Sequence, residues 1–283
     1  MTAAEIAGCV IIGLIGLFVI ISIIEMRGAK KSQEEKAQQQ AAADARFSKI
    51  YHEVEQIEPK IDQTADRNSL PYTGEVVKIA SLRRNTKVSI LSDYVAIDVE
   101  TTGLNPRTSE IIQVSAVRFI NQTPDQKFIT YVRPRSYIPE EATEINGITD
   151  EDVVDAPRFE WISGSLKEFI GSSTVVAHNI DFDMKFLLSQ GLDLENERRY
   201  FDTLELSRTY DDIPSHRLAD ACAFHGIYLG NHAHDAGADA FACGMLLQSI
   251  SRTLLELRNK KAIREGWQNE ERNSHVSNPL PRQ

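Results

Sequence analysis

The sequence predicts an α/β domain on a mixed sheet flanked by helices, preceded by an N-terminal transmembrane helix. Three observations predict it: a charge-free apolar run at residues 6–24, three consecutive strand-like segments between residues 94 and 132, and alternating helix and strand patterns after them. The chain has 283 residues, 42% hydrophobic and 25% charged, which suits one globular domain with extra segments at its ends. Its net charge of −10 excludes a basic nucleic-acid coat. Any phosphate contact must therefore be supported by metal cations and a few local Lys or Arg. Cys9, Cys222 and Cys243 form neither a disulfide framework nor a zinc pattern, which favours a reducing compartment.

At about 1.5 Å per residue, the run from Ile6 to Ile24 spans close to the roughly 30 Å of a bilayer core. A cleaved signal peptide is the competing reading, but no Lys or Arg precedes the run and no small-x-small site follows it. Arg27, Lys30 and Lys31 follow at once, so the positive-inside rule predicts a single-pass cell-membrane protein with a cytoplasmic body. Residues 1–31 read as the anchor, with residues 6–24 meeting the lipid bilayer. Residues 32–91 read as a helical stalk and linker. Phe47, Ile50, Val54 and Ile57 follow the a/d spacing of a coiled coil until Pro59 stops it, so a homodimer through the stalk is the alternative to a simple spacer. Arg83, Arg84 and Lys87 read as a solvated face, with nucleic-acid backbone or lipid headgroups as alternative partners.

The compact domain is expected over residues 92–260, with a polar tail at 261–283. Tyr94 to Val99 is a β-branched run typical of a buried strand, Ile111 to Ile120 predicts a second and Lys127 to Val132 a third. From Phe159 to Ile170, Trp161, Ile162, Leu166, Phe169 and Ile170 share one helical face. Thr174 to Ala177 is a short apolar strand. Helices are expected at Phe182–Ser189, Thr203–Thr209, Arg217–His225 and Ala236–Leu257. A dinucleotide-binding fold is excluded, since no G-x-G-x-x-G follows the first strand.

Three places carry candidate chemistry. Asp98 and Glu100 are two apart in a strand, so their side chains point to one face. Paired carboxylates in an apolar strand repel each other unless a cation lies between them, and oxygen-only ligation suits Mg²⁺ or Mn²⁺. The bland reading is a strand end reaching solvent. Asp181 and Asp183 open a helix after a His178-Asn179 turn; either could face a site, with Asp181 the candidate N-cap. Asp239 opens the long C-terminal helix with His234 just before it, a pairing of metal ligand and general base. A lone histidine is more often simply a polar side chain in solvent, and His232, Asp235 and Asp220 compete nearby.

Ile97-Asp98-Val99-Glu100-Thr101-Thr102-Gly103-Leu104, His178-Asn179-x-x-Phe182-Asp183 and His234-x-x-x-x-Asp239 occur in this order along the chain. In order and spacing the chain resembles the DEDDh 3′–5′ exonucleases, a family that includes the proofreading epsilon subunit of bacterial DNA polymerase III and ribonuclease T. The likeness runs from about Tyr94 to Ile250 and extends to Ile145–Thr149 and Ala156-Pro157 between the motifs. It implies an RNase H-like fold, and it selects Asp183 over Asp181 and His234 over His232. It further implies that Asp98, Glu100 and Asp239 hold one divalent ion, that Asp98 and Asp183 serve a second, and that His234 takes a proton from the attacking water. Thr101, Thr102, Leu104 and Asn179 match positions where family members contact the terminal nucleotide. The expected substrate is a 3′ end of single-stranded DNA or RNA, and the expected products are nucleoside monophosphates. A membrane-tethered adaptor that keeps the fold without turnover is the alternative; the intact five-residue set argues against it.

Overall fold

Among the described residues, six strands form one sheet in the order β1-β4-β3-β2-β5-β6. They are β1 (Glu55–Gln56), β2 (Tyr94–Thr101), β3 (Ile111–Ile120), β4 (Thr123–Tyr131), β5 (Thr174–Ala177) and β6 (Tyr200–Asp202). The computed structural model describes residues 30–31, 33–35, 37–38, 41–42, 45–64, 92–194, 200–227 and 236–276. It divides into two units, Met1–Ser48 and Lys49–Gln283; the described residues of the first are helical, and the second holds the sheet. The expected membrane span, Arg27, the Arg83/Arg84/Lys87 cluster and residues 228–235, with His232, His234 and Asp235, lie outside the described residues. Among the described residues, no helix is long and apolar enough to cross a membrane.

The meander expected from sequence is present, with β2–β3 and β3–β4 antiparallel and β2–β5 and β5–β6 parallel. The third strand starts at Thr123, earlier than expected, because Asn121 and Gln122 close a two-residue hairpin with φ of 50° and 62°. Such turns usually advertise themselves with Asn-Gly; Asn-Gln does not. Helices follow as α1 (Glu140–Asn146), α2 (Asp150–Val153), α3 (Phe159–Ile170), α4 (Ile180–Ser189), α5 (Thr203–Tyr210), α6 (Leu218–Phe224) and α7 (Ala236–Val276).

The two faces of β2 go to different partners. Val95, Ile97 and Val99 join a buried cluster with Ile162 and Leu166 of α3 and Met184 and Phe186 of α4. On the opposite face, the Tyr94 hydroxyl donates to the Gly244 carbonyl of α7 at 2.9 Å, and the Tyr94 ring stacks on Phe119. By strand alternation Asp98 and Glu100 share this second face, so the strand that builds the core also turns its two acids toward α7.

The expected a/d seam is not realised beyond residue 53. Helical backbone ends there, Val54 is buried, and β1 pairs in parallel with β4. Ile57 packs against the main core, while the Tyr51 ring meets Phe241 of α7 edge-on. The Lys127 ammonium donates to the Tyr51 carbonyl at 2.8 Å and lies over its ring. Val54, Ile57 and Tyr51 are thus engaged within the chain. At the other end, α7 runs to Val276, well beyond the expected Leu257. No proline interrupts it before Pro279, and Gly266 alone is too weak a breaker.

Candidate active site

Asp98 and Glu100 are half-buried where their β2 neighbours are buried. Past Glu100 the β2–β3 register shifts: Glu100 pairs with Gln113, but Thr101 pairs with Ile111. That bulge ends the strand and starts the loop that carries Leu104. Asp239 sits in the first turn of α7. One carboxylate oxygen each from Asp98, Glu100 and Asp239 lies within 4.8 Å of the others. Three half-buried carboxylates this close repel one another, and an all-oxygen set of this size fits a hard divalent cation.

Asp183 is 3% exposed, and its Oδ1 accepts the Val99 N–H at 3.1 Å. The β2–β5 ladder ends at Ala96↔Val176, so this carboxylate supplies the acceptor for a strand N–H lying between Asp98 and Glu100. Burial pushes the Asp183 carboxyl well above the usual carboxylate range, aided by the Asp202 and Glu100 charges; hydrogen bonds from its own N–H and that of Val99 oppose the shift. Asp181, by contrast, points elsewhere. It is half exposed, pairs with Lys185 at 3.5 Å and does not cap α4, whose N-cap position is Asn179.

The substrate-side candidates occupy the same end of the sheet. The Thr101 hydroxyl donates to the Gly103 carbonyl at 2.7 Å, and Thr102 exchanges two hydrogen bonds with Glu110, one through its own N–H and one through its Oγ1. These bonds close the loop and leave Leu104 84% exposed. A Cβ at Gly103 would stand 2.7 Å from the Ser109 Oγ, so that hydroxyl would have to turn away. The Asn146 amide donates to the Thr101 carbonyl at 3.3 Å, tying the end of α1 to this loop. Asn179 is exposed and left-handed, with φ of 70°. The structure therefore brings together Asp98, Glu100, Asp183 and Asp239; His234 lies outside the described residues.

Sequence reasoning missed the support beneath Asn179. Asp202 and Thr203 close β6 and open α5, and the Asp202 side chain caps that helix through the Leu204 N–H. The Thr203 hydroxyl lies 3.0 Å from His178 Nδ1, and His178 Nε2 donates to the His216 carbonyl at 2.8 Å. An Asp before a helical pattern is a legible cap signal. Its second partner is not.

Residues 95–247 match the RNase_T exonuclease family model. The chain belongs to this exonuclease family. The DNA polymerase III PolC-type proteins of Caldanaerobacter subterraneus subsp. tengcongensis and Halalkalibacterium halodurans are 34% and 38% identical to it, over 61% and 58% of this chain. The chain spans only 12% of the length of either relative. Escherichia coli exonuclease I, solved with a dT13 oligonucleotide, superposes with a TM-score of 0.52 at 20% identity, covering 60% of this chain and 43% of that one. Its zinc-bound complex with single-stranded DNA gives 0.51 at 18% identity, covering 59% and 42%. The mixed sheet and flanking helices are accordingly of the fold that exonuclease I has, and the three DEDDh-like motifs all lie within the residues that match the family model.

Proposed function

We propose that the chain is a membrane-anchored 3′–5′ exonuclease that hydrolyses DNA or RNA from the 3′ end and releases nucleoside monophosphates. One observation carries the reading: the carboxylates of Asp98, Glu100 and Asp239 converge within 4.8 Å, beside a buried Asp183 bonded to the strand between the first two. Asp98, Glu100 and Asp239 would hold one Mg²⁺ or Mn²⁺, and Asp98 with Asp183 a second. Two such ions, when bound, activate the attacking water and stabilise the leaving 3′-oxygen.

The remaining steps belong to the protein. His234 takes the proton of the attacking water, as its spacing to Asp239 supports. Thr101 and Thr102 hold the loop that presents Leu104 to the terminal nucleotide, and Asn179 approaches from the start of α4. The single-stranded oligonucleotides in the exonuclease I structures favour a single-stranded 3′ end as substrate. Residues 6–24 would anchor the protein with its catalytic domain in the cytoplasm, a reading supported by the apolar run and the Arg27, Lys30 and Lys31 flank.

The test is degradation of single-stranded DNA, duplex DNA and short RNA side by side. Stepwise 3′ shortening with mononucleotide product is expected in Mg²⁺ or Mn²⁺ and none in EDTA. Shortening that survives EDTA, or nucleotide binding without product, would overturn the proposal.

A further inference from the structure

We propose that Asp202 is a positioning residue of this exonuclease: its Oδ1 holds the backbone of Asn179 so that the Asn179 side chain meets the terminal nucleotide. The proposal rests on the reading of Asn179 as a substrate contact. Asp202 ends β6 in register with Ala177, the last residue of β5, so its side chain lies beside the turn that follows Ala177. It is 6% exposed, and its Oδ1 accepts the Asn179 N–H at 2.9 Å across 23 residues of sequence. The same oxygen accepts the Leu204 N–H at 2.9 Å, the local cap of α5. Asn179 has φ of 70° and ψ of 53°, in the left-handed region that Asn tolerates better than most L-residues, and the Asp202 bond fixes its N–H there.

The rest of the turn is fastened to the same junction. Thr203 Oγ1 lies 3.3 Å from the Ala177 carbonyl and 3.0 Å from His178 Nδ1. Asn179 is therefore an exposed side chain on a backbone fixed from below, and the first turn of α4, with Asp183 in it, starts from that fixed point.

Serine should separate the two duties of Asp202: it caps a helix well, and its oxygen, one bond closer to the backbone, is expected to fall short of the Asn179 N–H. Asn keeps an Oδ1 acceptor and removes only the charge. In the full chain, D202S should lower kcat/KM by about 10- to 100-fold while the melting temperature stays near wild type, since small misplacements cost this much. D202N should stay within about threefold, because its amide oxygen restores both bonds. N179G, which keeps the N–H and tolerates the left-handed turn, should fall about as far as D202S, and the double variant no further than the worse single one, as coupled sites do. D202S at the wild-type rate with N179G impaired would overturn the role of Asp202, as would losses that multiply in the double variant. N179G at the wild-type rate would instead overturn the reading of Asn179 itself, and an inert wild-type chain the exonuclease reading.

Discussion

His178 offers a residue-scale test that activity does not enter. Burial lowers its pKa from the ordinary 6.5, against the raising influence of the His216 carbonyl and the Asp202 charge. The unfolded chain then binds a proton that the folded one refuses, so stability is full above about pH 6.5 and is lost as pH falls below it. Thermal melts from pH 7.5 to 5 should show a falling midpoint, with a shallower fall in His178→Gln; parallel curves would contradict the assignment. The residues that hold charge were the legible ones. Asp98 and Glu100 follow from a period of two, and Asp183 and Asp239 from the resemblance to the DEDDh motifs. The contribution of Asp202 was illegible because it depends on the Ala177↔Asp202 register, a pairing between strands that no local pattern announces. Asp181 misled for the opposite reason: a helix-opening aspartate looks like a cap, yet here Asn179 takes that position without a side-chain bond.

At the scale of elements, α7 must lie close enough to β2 and β3 to bring Asp239 to Asp98 and Glu100. Gly244 permits that approach. A Cβ there would stand 2.1 Å from Phe119 Cε2, and the Phe119 ring is fully buried, stacked on Tyr94 and in contact with Phe241. Alanine ordinarily favours a helix by about 1 kcal/mol over glycine. Forcing a methyl into a packed core costs about 1–3 kcal/mol, so the clash should win. Gly244→Ala is expected to lower the melting temperature and to reduce exonuclease activity as α7 lifts; a melting temperature at or above wild type would contradict this packing. Long periodic elements such as α3 and the β2–β3 pair were readable from sequence to within a residue or two. β1, β6 and α1 were not, being two, three and seven residues long and defined by their neighbours. Val54 and Ile57 had the spacing of a coiled-coil seam, but the sheet and core compete for the same side chains, and burial within the chain prevails.

For the whole molecule, a net charge of −10 and a cluster of carboxylates predict that the proposed nucleic-acid binding depends on divalent ions rather than on a basic surface. The proposed anchor at residues 6–24 would set where that chemistry happens. The full chain is expected in the membrane fraction, resisting high salt, and a chain lacking residues 1–31 in the soluble fraction; full-length protein recovered as soluble would contradict the anchor and leave the catalytic site untouched. The most direct measurement of the central claim is the rate at which the full chain shortens a 5′-labelled single-stranded oligonucleotide in Mg²⁺ or Mn²⁺, with Asp98→Ala beside wild type. The carboxylate cluster predicts stepwise loss from the 3′ end for wild type and a rate lower by about 100-fold or more for the variant. An Asp98→Ala chain that degrades the strand at the wild-type rate would contradict it.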